Sequence, residues 1–92
     1  MVEIRVPAPL RAHTDGSKVV SGEGASVGEV LNDVGRRFPG FREGLFDGNG
    51  EIRQFVNIYL NDEDIRYLGR LDTPVSGGDV VSILPAVAGG SW

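Results

Sequence analysis

Residues 26–38, SVGEVLNDVGRRF, carry one clear helical signature, and its apolar stripe has to be covered by something. Val27, Val30, Leu31, Val34 and Phe38 recur at the spacing of a single helix face. Ser26 stands where a hydroxyl can cap the first turn, and Glu29, three positions on, completes a capping box. Pro39 and Gly40 are expected to stop the helix. Gly28 and Gly35 each weaken it by about 1 kcal/mol relative to alanine, so packing has to hold it, and both are expected to let it lie close against a sheet.

The cover is supplied by segments that alternate with a period of two. In VEIRV, Val2, Ile4 and Val6 share one face, with Glu3 and Arg5 on the other, and Pro7 and Pro9 end the run. RAHTDGS reads as a turn with its reversal at Asp15 and Gly16, and KVVS pairs back as a second strand. After the helix, FREGLF can form a helical turn and DGNGE is a flexible one. RQFVNIYL is the strongest strand: Phe55, Asn57 and Tyr59 alternate with Val56, Ile58 and Leu60. NDED reverses the direction, IRYLGRL is a short strand or turn, and SGGD precedes the final strand VVSIL. One main helix set on one sheet predicts an α+β domain over 1–85, followed by a tail at 86–92.

With 92 residues there is room for a single core. No cysteine is present, so disulfides are excluded and any sulfur chemistry uses something other than a thiol of this chain. Nine basic against thirteen acidic residues, giving a net charge of −4, argue against nucleic acid as a partner. The N-terminus does not read as a signal peptide, and no apolar run approaches the ~20 residues of a membrane span. The expectation is a cytoplasmic protein with no membrane partner.

Catalytic chemistry finds little to build on. His13 is the only histidine and lies in a turn, where a solvated role is expected. The carboxylates of NDED lack the twelve-residue ligand pattern and central glycine of a calcium loop, and read better as a charged hairpin tip that discourages edge pairing. DGNGE is no phosphate loop, having neither the strand, the helix nor the Gly-Lys pair. No catalytic residue and no metal site are predicted.

What remains is the end of the sequence, ILPAVAGGSW. Gly89 and Gly90 lack a β-carbon, so the backbone there can enter a narrow channel. Ala86, Val87 and Ala88 make a slim stem, and the five residues 86–90 span about 17 Å when extended, enough to reach into another protein's active site. The plain alternative is a frayed end.

The segment VNIYLNDEDIRYLGRLDTPVSGGDVVSILPAVAGG, with its Gly-Asp turn, apolar strand, proline and Gly-Gly in register, resembles the ubiquitin-like sulfur-carrier family. The likeness extends over nearly the whole chain and is nearest to the carriers of cysteine biosynthesis. It implies a β-grasp fold with the last strand central, a helix on one face and a protruding tail. It further implies that the chain is not an enzyme but is acted on by partners. An E1-like adenylyltransferase and sulfurtransferase would use ATP and magnesium to activate the terminal glycine, Gly90, and place sulfur on it as a thiocarboxylate. Gly89, Ala88 and Val87 would be the stem that threads the partner's channel. A PLP-dependent cysteine synthase would accept the sulfur and a zinc metalloprotease of the JAMM type would act on the tail. No cofactor would be held by the carrier itself, and a protein that visits several enzymes is expected to be a monomer.

The sequence departs from the family pattern at one point. A carrier of this kind ends at its second glycine, whereas Gly90 is joined by an amide to Ser91, and Trp92 follows. An amide carbonyl cannot be adenylated as a free carboxylate can, so Ser91 and Trp92 read as a removable mask; an artificial addition or a permanent block are the alternatives. A docking patch is expected around Phe55, Tyr59, Ile83 and Leu84, the bland reading being that these side chains complete a small core. Molybdopterin, thiamine, tRNA thiolation or natural-product synthesis are other destinations for the sulfur. A ubiquitin-like protein modifier, or an interaction module without sulfur chemistry, is the rival class.

Overall fold

A computed structural model of the chain describes residues 1–54 and 56–85. The chain forms β1 (Val2–Arg5), β2 (Val19–Gly22), α1 (Val27–Arg37), α2 (Pro39–Leu45), β3 (Val56–Leu60), β4 (Glu63–Asp64) and β5 (Val80–Pro85). The strands make one mixed sheet in the order β2-β1-β5-β3-β4. β5 lies between β1, to which it runs parallel, and β3, to which it is antiparallel. The final strand is therefore central, and with a helix packed across one face the arrangement is the β-grasp.

Alternation decides which side of each strand meets the helix. Val56, Ile58 and Leu60 are buried while Asn57 and Tyr59 are only half-covered. Ile4 pairs with Val81 and Ile58 with Ile83, so the inward residues of three neighbouring strands form one apolar floor. Val27, Val30, Leu31 and Val34 of α1 are fully buried against it. Burial of this kind stabilises by about 1.5–3 kcal/mol per side chain, which outweighs the penalty of two helical glycines.

The N-terminus of α1 is capped with one shift of register. The N–H of Glu29 donates to Ser26 Oγ at 3.2 Å, as expected. The returning carboxylate of Glu29 accepts from the N–H of Ala25 at 3.0 Å, one residue before the position a capping box predicts. Asp33, farther along α1, accepts from the N–H of Glu23 at 3.0 Å, which ties the end of β2 to the helix.

Four expectations are corrected. Pro39 stops α1 but also opens α2, a seven-residue helix that buries Phe41 and Leu45 where a single turn was expected. A proline's fixed φ and missing N–H suit a first helical position as well as a stop. The segment before Asp15 is more than a turn: Ala8–Thr14 is a 3-10 helix that buries Leu10 and Thr14. The reversal itself falls at Asp15 and Gly16, which take φ of 56° and 80°. Gly28 and Gly35 do not face the sheet. A β-carbon would meet the Leu71 carbonyl at 3.1 Å in the first case and Arg42 at 3.0 Å in the second. The close approach of helix and sheet occurs instead at Gly22, where a β-carbon would lie 2.8 Å from Val30.

The fourth correction concerns NDED and the stretch after it. Asn61 and Asp62 have φ of 50° and 74°, the two left-handed residues of a tight hairpin turn. Glu63 and Asp64 then form β4 instead of extending the loop. The following IRYLGRL resolves into two short 3-10 helices, Ile65–Tyr67 and Arg70–Asp72, with no further strand.

Candidate functional site at the tail exit

The geometry that matters is where β5 delivers the chain. Pro85, at its end, pairs with Val56 at the start of β3. The described chain thus ends in the middle of the sheet, on β5 between β3 and β1, at the end opposite the β3–β4 turn. Val87, Ala88, Gly89, Gly90, Ser91 and Trp92 lie outside the described residues, as does Phe55.

The sheet face turned away from α1 surrounds that exit. Leu84 sits opposite Asn57, and Tyr59 opposite Ser82, all on this face. Glu3 and Arg5 continue it on β1, opposite Val80 and Ser82. Leu84 is 49% exposed and Tyr59 is half-buried, so these two expected docking residues share an accessible surface. Ile83 does not. It is 1% exposed and belongs to the floor beneath α1, because neighbours along a strand point to opposite faces. The expectation named Ile83 and Leu84 together, and a period of two allows only one of them to be on the open face.

At the β4 margin Asp64 and Arg66 form a fork. The Arg66 Nη2 lies 2.7 Å from Asp64 Oδ2, its Nε donates to both carboxylate oxygens, and its backbone N–H donates to Oδ1 at 2.9 Å. These bonds to the Arg66 side chain and backbone hold the Asp64 carboxyl below its ordinary range, more strongly than burial raises it. Asp64 pairs with Tyr59 across the β3–β4 ladder, so a fixed guanidinium borders the open face. Sequence reasoning did not single out this pair; an Asp-x-Arg spacing directly after a hairpin turn is its only signal.

His13 is exposed, with its ring against Gly40. Among the described residues, no three His, Cys, Asp or Glu side chains gather as a metal site would require. No helix of the described residues is long and apolar enough to cross a membrane.

Comparison with known proteins matches this chain to a family and to full-length relatives. The sulfur carrier protein CysO of Mycobacterium tuberculosis is 47% identical over 91 residues, covering 97% of this chain and 98% of the relative. The crystal structure of the Amycolatopsis orientalis BexX/CysO complex contains a chain that superposes with a TM-score of 0.88 at 43% identity, covering 98% of this chain and all of that one. Small archaeal modifier protein 3 of Haloferax volcanii is 35% identical over 66 residues, 72% of this chain and 71% of that protein. The model of the ThiS family matches residues 4–90, from the first strand through the second tail glycine. With the fold, the central last strand and nearly the full length in agreement, the chain belongs to the ThiS family.

Proposed function

We propose that this chain is a sulfur carrier for cysteine biosynthesis that bears sulfur as a thiocarboxylate on Gly90 once Ser91 and Trp92 have been removed. The observation that carries the reading is the extent of the family match. It ends at Gly90 and leaves the two following residues outside, while the full AVAGG stem is retained ahead of them.

The chemistry follows from the carboxyl group. A carboxylate is a poor electrophile, because its charge is delocalised and neither oxygen leaves readily. With Gly90 terminal, one carboxylate oxygen attacks the α-phosphorus of ATP in an E1-like enzyme, and magnesium pyrophosphate departs. Sulfur at the sulfide level, as HS⁻, then attacks the acyl carbon, AMP leaves, a proton is lost, and the thiocarboxylate remains. An amide to Ser91 offers no such oxygen, so a zinc metalloprotease must act first. A PLP-dependent cysteine synthase is the acceptor that fits this route, and the cytoplasm, with its ATP, is where it would operate. The carrier contributes reach and recognition: Gly89, Ala88 and Val87 thread the channel while Tyr59 and Leu84, with Phe55, meet the enzyme surface.

Similarity to an archaeal modifier protein favours one second reading, in which the Gly90 acyl group is passed to a lysine of another protein. An intact mass of the protein purified cold from its own cells, without reductant, separates these. Loss of Ser91 and Trp92 with one oxygen replaced by sulfur is the expected result. An isopeptide-linked adduct would establish the modifier, and an unchanged mass after incubation with native lysate and ATP would exclude both.

A further inference from the structure

The sequence holds a single lysine, Lys18, and no cysteine. Where the C-terminal glycine becomes an acyl adenylate, Lys18 is the one side-chain amine that group can meet on its own chain. Register fixes its place. Arg5 stands opposite Val19 on one side and Ser82 on the other, and the N–H of Val6 donates to the Lys18 carbonyl at 2.8 Å. Lys18 is therefore level with Ile83, two residues short of Pro85, with only β1 between β2 and β5. Because β1 runs parallel to β5 and antiparallel to β2, the start of β2 and the end of β5 lie at the same end of the sheet.

Two strand spacings and two residues of rise put the Cα atoms of Lys18 and Pro85 about 12 Å apart. Residues 86–90 span about 17 Å when extended, so the Gly90 acyl carbon reaches this position with slack, before the lysine side chain adds its own length. Lys18 is exposed, and its ammonium makes no ion pair among the described residues. The backbone at Met1, whose carbonyl accepts from the Gly78 N–H at 3.1 Å, stands at the far end of the sheet. It is about 23 Å from Pro85 along the strands, and an amine there is out of reach.

We infer that Lys18 captures the activated Gly90 of its own chain when sulfur is not supplied, closing an internal isopeptide ring. The inference rests on the carrier reading, because it needs the adenylate. Once the tail withdraws from the enzyme's channel, the unprotonated ε-amine attacks the Gly90 acyl carbon. The C–N bond forms, the bond from that carbon to the phosphate oxygen breaks, AMP leaves with the electron pair, and the nitrogen loses one proton. Tethering through five residues presents the acyl group at about millimolar effective concentration, which favours ring closure over the joining of two copies in dilute solution. Sulfide competes for the same carbon, so loading and closure are alternative fates of one intermediate. The closed ring withdraws Gly90 from sulfur loading and from transfer to a lysine of another protein.

The test uses residues 1–90 and the activating enzyme, purified from native cells by its ATP–pyrophosphate exchange in the presence of that chain. With ATP and magnesium but no sulfur donor, the intact mass is expected to fall by one water, at a rate independent of chain concentration. Fragmentation of a digest should show a branched peptide joining Gly90 to Lys18. Lys18→Arg should lose the product while keeping pyrophosphate exchange. Adding Glu23→Lys to that variant places an exposed amine beyond Gly22, at the far end of the sheet, and should not restore the ring. Pyrophosphate exchange without loss of water overturns the inference and spares the carrier reading. So does a ring that persists in Lys18→Arg, one that Glu23→Lys restores, or conjugates between copies that grow with concentration. Absence of any exchange-competent enzyme removes the carrier reading and the inference with it.

Discussion

Asn61 and Asp79 lock the β3–β4 turn to the start of β5. The Asn61 Nδ2 donates to Asp79 Oδ1 at 3.1 Å, and its Oδ1 accepts from the N–H of Val80 at 3.0 Å. The other oxygen of Asp79 accepts from the N–H of Ser76 at 2.8 Å. Two side chains thus hold a left-handed turn residue, the neighbouring strand and the preceding loop in a single network. Asn61→Ala should destabilise the fold by about 1–2 kcal/mol, through loss of the left-handed preference and of a backbone bond. Asn61→Gly should recover the conformational part and not the bond. Urea unfolding of the three proteins measures both.

The same network sets a pH dependence. Asp79 is held below the ordinary 3.8 by the Ser76 N–H and by Asn61. Asp64 is held low by Arg66, and Asp33 chiefly by the Glu23 N–H. A carboxyl whose folded pKa is depressed stabilises the fold fully above its unfolded value, and that contribution disappears as pH falls through the folded one. Stability should therefore be flat from neutral pH down to about 5 and then decline through and below about 4. Asp79→Asn should be less stable at neutral pH and show a shallower acid decline, as read by unfolding midpoints at successive pH values.

Ile83 and Leu84 are adjacent and should behave oppositely. Ile83→Ala removes a fully buried side chain and should cost about 2–4 kcal/mol. Leu84→Ala, on the open face, should leave stability within about 0.5 kcal/mol while slowing sulfur loading of the 1–90 chain. If Leu84→Ala loads at the normal rate, the open face is not where the activating enzyme rests. Thermal unfolding and a timed mass assay on the same preparations make the comparison.

How legible this was in the sequence depends on the range of the interactions involved. The stripe of α1 and the alternation of β3 are local patterns, and both lie where the periodicities put them. The central place of β5 came with the family resemblance, since pattern alone does not order strands. Ile83 was misplaced because VVSIL is apolar on both sides, with Val80 and Leu84 outward and Val81 and Ile83 inward. A segment without polar alternation carries no facing signal. The Asn61–Asp79 network joins residues 18 apart. It has no local signature beyond the left-handed Asn-Asp pair.

Gly22, at the end of β2, is a position at which sheet and helix approach closely. A β-carbon there would stand 2.8 Å from Val30 Cγ1, 2.9 Å from the Val30 carbonyl oxygen and 3.0 Å from Ile4 Cδ1. Two of these neighbours are side-chain ends, but the carbonyl belongs to the helix backbone and cannot turn away. Gly22→Ala should therefore push α1 outward and cost about 1–3 kcal/mol, the range for overpacking a core. Adding Val30→Ala should relieve only part of this, because the carbonyl contact persists. Full rescue in the double variant would mean that the side chain alone sets the spacing. Because α1 and the open face lie on opposite sides of the sheet, the Gly22→Ala protein should still load sulfur at temperatures where it remains folded.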